Sequence, residues 1–225
     1  MIPVIILCGG LATRLYPVTQ TIPKSLIEFD HKPFIYYQLD KLIKNNVTDV
    51  VLCVGKFSDM IKDRVGKKYD SINIQYSYDI GIPGTGGAIK AALPLLPDDF
   101  FVLYGDSYLH ISLYKMLNKY KSSHKPILMS VYRNKNKNDT SNILYDGEII
   151  SYNKKTPASN AEHIDYGISI MNKSVFSSYP DVFDLSDLYS DFINKHQVAS
   201  IEATIPFQEI GSFKGIKKFK KLMGR

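Results

Sequence analysis

The sequence predicts an α/β protein built on a mostly parallel sheet with helices packed against it. Short apolar segments alternate with stretches of helical spacing through the first half of the chain. Strands separated by helices imply β-α-β units, and such units join parallel neighbours. The first apolar segment, residues 2–7, leads directly into a glycine-rich turn. Because sheets of this kind bind ligands at the carboxyl ends of their strands, a site is expected at that edge.

The elements of the first half follow in chain order from these patterns. Strands are predicted at residues 4–8, 49–54, 72–78, 100–104 and 127–132. Helices are predicted near residues 34–45, 58–65, 86–93 and 113–120. Each predicted helix therefore lies between two predicted strands, as β-α-β units require.

The rhythm of the elements changes after about residue 133. The dipeptide Asp146-Gly147 is a strong signal for a hairpin between strands at 143–145 and 148–152. Two polar loops, a further strand and two closing helices complete the pattern, at residues 134–142, 153–161, 166–171, 185–195 and 213–223. There is no internal repeat and no linker, so one domain spanning residues 1–225 is expected.

Length and composition are those of an ordinary globular chain. The 225 residues are 44% hydrophobic and 22% charged, which suffices for a full core. No apolar run approaches the length of a membrane span, and no basic region precedes the first apolar stretch. Without a secretory signal, Cys8 and Cys53 are expected to be reduced core residues of a cytoplasmic protein.

The net charge of +6 could indicate binding to nucleic acid. The basic residues are spread along the chain, however, apart from a lysine cluster at residues 214–221. That cluster falls on the last predicted helix, opposite its apolar face, and is interpreted as a solvated surface. No module for stacking on bases or reading a groove accompanies the charge. Neither nucleic acid nor a membrane is expected as a partner.

The turn after the first strand, with a lysine ten residues further on, is the strongest functional signal. The turn has the sequence GGLATRL at residues 9–15 and is followed by Pro23-Lys24. Glycines allow backbone N–H groups to approach phosphate oxygens closely. Arg14 adds a planar fork and Lys24 a compact point charge, both suited to a polyphosphate. The string is neither a P-loop nor a dinucleotide fingerprint.

The segment GGLATRLYPVTQTIPK resembles the signature of the sugar-1-phosphate nucleotidyltransferases, G-G-x-G-T-R-L-x-P-L-T-x-x-x-P-K, with the same spacing throughout. It departs at Ala12, where that family usually has glycine, and conservatively at Val18. The resemblance extends from residue 2 to about residue 215. It implies a Rossmann-like nucleotide-diphospho-sugar transferase fold with a mixed, mostly parallel sheet. It also implies a nucleotide-binding half, residues 1–133, and a sugar-binding half, residues 134–225.

The reaction implied by the resemblance is attack of a sugar 1-phosphate on the α-phosphorus of an NTP, with release of pyrophosphate. Such chemistry depends mainly on positioning and charge neutralisation. Arg14 would neutralise the triphosphate, and Lys24 would hold the α-phosphate or the sugar phosphate. A surface salt bridge is the alternative role of Arg14. The other residues of this turn expected to bind the nucleotide are Leu7, Gly9, Gly10, Ala12 and Thr13.

A second glycine cluster, PGTGGAI at residues 83–89, lies at the mouth of a predicted helix. A helix N-terminus there would offer free N–H groups. The cluster resembles the segment of the family that meets the nucleobase and ribose. By that resemblance Gly84, Thr85 and Gly86 bind the nucleotide, with Asp79 in the preceding loop. A simple turn with a helix cap is the alternative.

Two acidic residues are candidate metal ligands. The strand at 100–104 ends in Gly105-Asp106, which places a carboxylate in the expected crevice, and Mg²⁺ is usually held by one or two carboxylates with phosphates and water. Asp106 is the first candidate, with a loop cap as its alternative. The string FQEIGS at 207–212 resembles the second metal-binding segment of the family, W-x-D-I-G-T/S, and puts Glu209 at the aspartate position. Glu209 could instead only cap the following helix.

Two weaker resemblances concern the sugar side. An NKK segment lies where the family often has Glu-Lys, so Lys155 is expected to contact the sugar phosphate. Lys154 then stands in place of the glutamate, and either lysine could make the contact with the phosphate. A DYG segment lies where relatives have Asn-x-Gly, so Asp165 and Gly167 are expected to line the sugar pocket, with Asp165 accepting sugar hydroxyls. These replacements leave the identity of the sugar open, whereas the type of reaction that the resemblance implies is unaffected.

Within the family, the short length and the strings YSYD and PGTGGAIK resemble the heptose-1-phosphate guanylyltransferases of surface-polysaccharide synthesis. GTP and a heptose 1-phosphate are therefore the expected substrates. N-acetylmuramate-1-phosphate uridylyltransferases share much of the pattern. Uridylyl, thymidylyl or cytidylyl transfer to another sugar phosphate or to phosphocholine stays open, as does a non-catalytic nucleotide-sugar sensor. The oligomeric state is also left open, a homodimer being one option.

Overall fold

A computed structural model describes residues 1–81, 83–137 and 139–224. Its α-helices are α1 (Phe34–Ile43), α2 (Ser58–Val65), α3 (Gly84–Ala92), α4 (Leu113–Ser123), α5 (Leu185–Asn194) and α6 (Phe213–Met223). Its strands are β1 (Val4–Leu7), β2 (Glu28–Phe29), β3 (Lys32–Pro33), β4 (Asp49–Val54), β5 (Lys68–Tyr69), β6 (Ile72–Tyr78), β7 (Asp99–Tyr104), β8 (Ser107–Tyr108), β9 (Ile127–Arg133), β10 (Ile143–Tyr145), β11 (Ile149–Tyr152), β12 (His163–Asn172), β13 (Val198–Ala203) and β14 (Gln208–Glu209). Residue 138, inside the predicted loop 134–142, lies outside the described residues, as do residues 82 and 225.

The main sheet has the order β13-β9-β12-β7-β1-β4-β6-β5, and the hairpin β10–β11 joins the start of β12. Strands β7, β1, β4 and β6 are parallel neighbours, and β13 is parallel to β9. Strand β12 runs antiparallel to both β7 and β9, so the second half of the chain extends the sheet of the first half. The prediction of a mixed, mostly parallel sheet is confirmed.

The two faces of the sheet are covered by different helices. Side chains alternate along a strand, so Val4 and Ile6 of β1 enter one core with residues of α1, α2 and α4. Ile5 enters the other core with residues of α3 and α5. The side chains of Val4, Ile5 and Ile6 are fully buried, as expected for a central strand covered on both faces. This burial makes β1 a firm base for the turn that follows it.

The predicted elements of the first half are all present, with ends that differ by a few residues. Strand β13 was not predicted, and neither were the short strands β2, β3, β5, β8 and β14. The cysteines are unpaired, as predicted: Cys53 is buried and Cys8 is half-buried. Within the described residues, no helix combines the length and the apolar character that a membrane span requires.

Hydrogen bonds tie the loops that leave the central strands to one another. The amide of Cys8 donates to the carbonyl of Cys53 over 2.8 Å, and that of Asp79 donates to Val54 over 2.8 Å. The amide of Gly105 donates to the carbonyl of Leu7 over 3.2 Å. The loops after β1, β6 and β7 are therefore held together at one edge of the sheet.

Candidate active site

A cavity of about 950 Å³ opens at the carboxyl ends of β1, β4, β6 and β7. Nine of the residues predicted for the site line it: Leu7, Gly9, Gly10, Lys24, Asp79, Gly84, Thr85, Asp106 and Lys155. The remaining predicted residues do not line the cavity, in the part of the chain that the structure describes: Ala12, Thr13, Arg14, Gly86, Asp165, Gly167 and Glu209. The sequence therefore located the cavity, and the second group lies outside its lining.

The turn after β1 depends on small residues in special positions. A methyl group on Gly9 would lie 2.0 Å from Asp79 Oδ2, so any larger residue there would displace the Asp79 carboxylate. Ala12 adopts the left-handed conformation, with φ 49° and ψ 45°, which explains why glycine suits this position; alanine tolerates it at a cost of about 1–2 kcal/mol. The Thr19 hydroxyl donates to the Ala12 carbonyl over 2.8 Å and fixes the turn. Burial raises the pKa of the Cys8 thiol to about 12, which keeps it neutral beside a site for anions.

Lys24 and Asp106 form an ion pair at the floor of the cavity. Lys24 Nζ donates to Asp106 Oδ2 over 2.6 Å, and the side chains are only 20% and 23% exposed. Burial alone would raise the pKa of Asp106, but the charge and hydrogen bond of Lys24 and the hydroxyl of Ser107 outweigh it, so the pKa is lowered. Asp106 is therefore an ionised carboxylate at neutral pH.

Three predicted side chains converge around Gly211. A methyl group on Gly211 would lie 2.9 Å from Asp106 Oδ2, 3.2 Å from Glu209 Oε2 and 3.5 Å from Arg14 Nη2. Strands β14 and β8 bring the two carboxylates together, because Glu209 pairs with Ser107, the neighbour of Asp106. Two carboxylates facing one small region provide the oxygen donors that Mg²⁺ prefers, and they leave other positions for phosphates and water. The residues present thus fit a magnesium ion.

Glu209 also fastens the start of α6. Its carboxylate accepts from the amide of Gly211 over 2.5 Å and from the hydroxyl of Ser212 over 2.5 Å. Ser212 in turn caps α6 by accepting from the amide of Gly215 over 2.9 Å. The alternative role predicted for Glu209, at the start of this helix, is thus present in the structure. A carboxylate has about four lone-pair sites, so these two bonds leave room for a metal.

The N-terminus of α3 is occupied by another part of the chain. The amides of Gly86 and Gly87 donate to the carbonyl of Phe183 over 3.0 and 3.2 Å. A methyl group on Gly86 would lie 2.2 Å from the Phe183 ring, so Gly86 allows close packing. The prediction of free N–H groups was wrong for these two residues, because the loop before α5 caps the helix. Gly84 and Thr85 remain at the cavity wall.

Asp79 is a half-buried acid at the end of β6. Burial raises its pKa to about 6, and no positive charge on the described residues opposes the shift. Its Oδ1 atom is buried without a hydrogen-bond partner among the described residues. Since an unpartnered buried acceptor is costly, this carboxylate is suited to a ligand that brings hydrogen-bond donors.

The sugar side differs in detail from the prediction. Lys154 and Lys155 both line the cavity, so either can meet a phosphate. Asp165 lies behind Tyr104: it accepts from the Tyr104 hydroxyl over 2.6 Å and from the amide of Gly167 over 2.9 Å. Its carboxylate thereby fixes Tyr104, which lines the cavity, while Asp165 itself is not among the lining residues, so in this structure its part on the sugar side is to position Tyr104.

Sequence analysis missed several polar residues of the cavity, among them Asp184 and Ser186. Asp184 Oδ1 would lie 3.2 Å from a methyl group on Gly84, so it stands directly opposite the α3 motif. Both residues follow the loop that caps α3, in a polar segment without a recognisable motif. Only the long-range contact between α3 and this loop brings them to the site, and no local pattern could have indicated it.

Comparisons with known proteins find relatives that match most of the chain. The chain matches the Nucleotidyl transferase family over residues 3–198. It is 31% identical to the D-glycero-alpha-D-manno-heptose 1-phosphate guanylyltransferase of Campylobacter jejuni over 78% of each chain. It is also 31% identical to the enzyme of that name from Aneurinibacillus thermoaerophilus, over 85% of this chain and 83% of that one. The solved structure of HddC from Yersinia pseudotuberculosis complexed with GMP-PN is 26% identical, with a TM-score of 0.82 over 99% of both chains.

Proposed function

The chain belongs to the nucleotidyl transferase family and is a nucleotidyltransferase of sugar phosphates, and from this premise we propose that it transfers the guanylyl group of GTP to a heptose 1-phosphate. The two relatives named as heptose 1-phosphate guanylyltransferases support this choice of substrates. The products are then a GDP-heptose and pyrophosphate. A cytoplasmic location stays a prediction.

The observation that carries the choice of base is the Asp79 carboxylate, which lines the cavity and has no cationic partner in the part of the chain that the structure describes. Guanine presents two adjacent donors, its ring N–H and its amino group, on one edge. A carboxylate accepts from both at once, and hydrogen bonds to a charged group are the stronger ones. Uracil and thymine present one ring N–H between two carbonyl oxygens, and those oxygens would face a negative charge. Asp79 therefore favours GTP.

A magnesium ion is proposed between Asp106 and Glu209, whose carboxylates face the same region beside Arg14. When bound, the ion would neutralise charge on the nucleotide phosphates. Arg14 Nη2 borders the same region, and its guanidinium is suited to the charge of the departing pyrophosphate. Mg²⁺ thus adds to a positive environment that Arg14 and Lys24 already provide.

The acceptor phosphate is proposed to bind to Lys155 and Lys154, which face the cavity from the second half of the chain. One of its oxygens forms the new bond to the α-phosphorus, and the bond from that phosphorus to the bridging oxygen breaks. The electron pair leaves with pyrophosphate. Because the attacking phosphate oxygen is already ionised, no side chain has to remove a proton. Lys24 holds the phosphates in line, so the residues act by position and charge.

The first test is pyrophosphate release with Mg²⁺ for ATP, GTP, CTP, UTP and dTTP against a panel of acceptors. The panel contains heptose, mannose, glucose and N-acetylmuramate 1-phosphates together with phosphocholine. We expect GTP with a heptose 1-phosphate to give the highest kcat/KM. A different best pair would overturn the substrate proposal alone. Nucleotide binding without turnover for any pair would favour a nucleotide-sugar sensor.

Replacing Asp79 by Asn should raise the KM for GTP by about 10- to 100-fold, the loss expected for a hydrogen bond to a charged group. In the wild-type protein the KM for GTP should also rise as the pH falls below about 6, because protonation removes the accepting carboxylate. D79N should lack that pH step. The surface variant Asp59→Asn serves as control. An unchanged KM for GTP in D79N would contradict the role of Asp79.

A further inference from the structure

Gln38 is a buried polar side chain in the middle of α1. It is only 2% exposed, and its neighbours Ile35, Leu39 and Leu42 are apolar core residues. A buried amide is costly unless its polar atoms are hydrogen-bonded. The position of Gln38 therefore requires an explanation beyond packing.

Both amide hydrogens of Gln38 hold the turn that carries Asp106. Nε2 donates to the carbonyl of Tyr104 over 2.9 Å and to the carbonyl of Ser107 over 2.8 Å. The first carbonyl ends β7 and the second begins β8, so the two bonds span Gly105 and Asp106. One side chain thus closes the turn from the side of α1.

The oxygen of the same amide has no such role. Gln38 Oε1 is buried and has no hydrogen-bond partner within the described ranges of the chain. The reversed amide would set Oε1 against two carbonyl oxygens, so the orientation is fixed by the turn. The two bonds donated by Nε2 are therefore the polar contacts that account for an amide at this buried position.

Other hydrogen bonds hold the same turn from two further directions. The amide of Gly105 donates to Leu7 of β1, and the carbonyl of Asp106 accepts from Ile210 over 3.0 Å. These bonds fix the turn from β1 and from the segment after β14. Gln38 supplies the hydrogen bonds to the turn from the α1 side.

We propose that Gln38 is a positioning residue for the metal site: its amide fixes the Tyr104–Ser107 turn and so sets the affinity of Asp106 for the divalent ion. This inference rests on the proposed role of Asp106 as a metal ligand. Residues that orient metal ligands typically contribute about 10- to 100-fold to metal affinity or activity.

The test is an EPR titration of Mn²⁺ in the presence of a non-hydrolysable GTP analogue, which measures metal binding without turnover. Gln38→Leu should raise the Mn²⁺ dissociation constant about tenfold or more. Binding of the GTP analogue without metal should change by less than about twofold. Gln38→Met, which keeps the unbranched shape, should behave in the same way and replaces Q38L if the latter does not fold.

The matched control is Leu39→Ala on the same helix, which weakens the core without touching the turn. It should lower the Tm and leave the Mn²⁺ dissociation constant within about twofold of wild type. Equal effects of Q38L and L39A on Mn²⁺ would show a merely structural role and overturn the inference. Asp106→Asn distinguishes failure of the metal assignment from failure of the Gln38 inference. If D106N loses Mn²⁺ binding and folded Q38L does not, only the role of Gln38 fails. If D106N binds Mn²⁺ normally, the metal assignment and the inference both fail.

Discussion

Replacing Asp106 by Asn should lower kcat about 10²- to 10³-fold while nucleotide binding persists. The substitution keeps the shape of the side chain and removes its charge. Lys24, only 2.6 Å from Asp106 Oδ2, would lose its ionic partner, and one of the two carboxylates proposed for Mg²⁺ would be gone. The nucleotide contacts proposed at Asp79 and at the turn after β1 do not involve this carboxylate.

Two measurements check the result for D106N: pyrophosphate release at saturating substrates and calorimetric binding of GTP. Asp98→Asn is the control, since Asp98 lies just before β7 and forms a surface ion pair with Lys173 over 2.7 Å. Loss of such an exposed pair has little effect on stability. Unchanged turnover in D106N would refute the metal assignment, and loss of GTP binding would point to a wider structural fault.

The parts of this protein that the sequence predicted are governed by local chemistry. The strand before Gly9 and the strand before Asp106 are short apolar runs, and each ends in a turn that few residue types can form. The spacing of apolar residues and the residue composition are sufficient to place such elements. Nine predicted residues consequently line one cavity, although they come from five separate stretches of the chain.

The parts that were missed depend on contacts between distant segments. Strand β13 has the sequence VASIEA, with too few large apolar residues to stand out, and it forms by pairing with β9. The cap of α3 by Phe183 joins residues about a hundred positions apart. The amide of Gln38 on the Asp106 turn is a further such contact. No periodicity or motif encodes these pairings, because each requires the folded sheet.

Replacing Lys24 by Met should lower kcat/KM about 10²- to 10³-fold, because the charge that holds the phosphates in line is lost. Metal dependence should persist, unlike in D106N, since the Asp106 carboxylate remains. The pKa of Asp106 should rise, because burial raises it and Lys24 no longer opposes that effect. The acid limb of the kcat/KM profile, which reports the free enzyme, should therefore move to higher pH in K24M.

Lys62→Met is the control, because Lys62 lies on the exposed face of α2, and its kinetics should match those of the wild type. Lys24→Arg should recover part of the activity, because it restores the charge. The double variant Asp106→Asn with Lys24→Met distinguishes two independent sites from one unit. Residues that act as a unit are strongly non-additive, so the double variant should lose little more than the worse single variant. Fully additive losses would mean that the 2.6 Å ion pair does not couple the two residues during catalysis. Lys24 would then act on phosphate alone, and Asp106 would act without it.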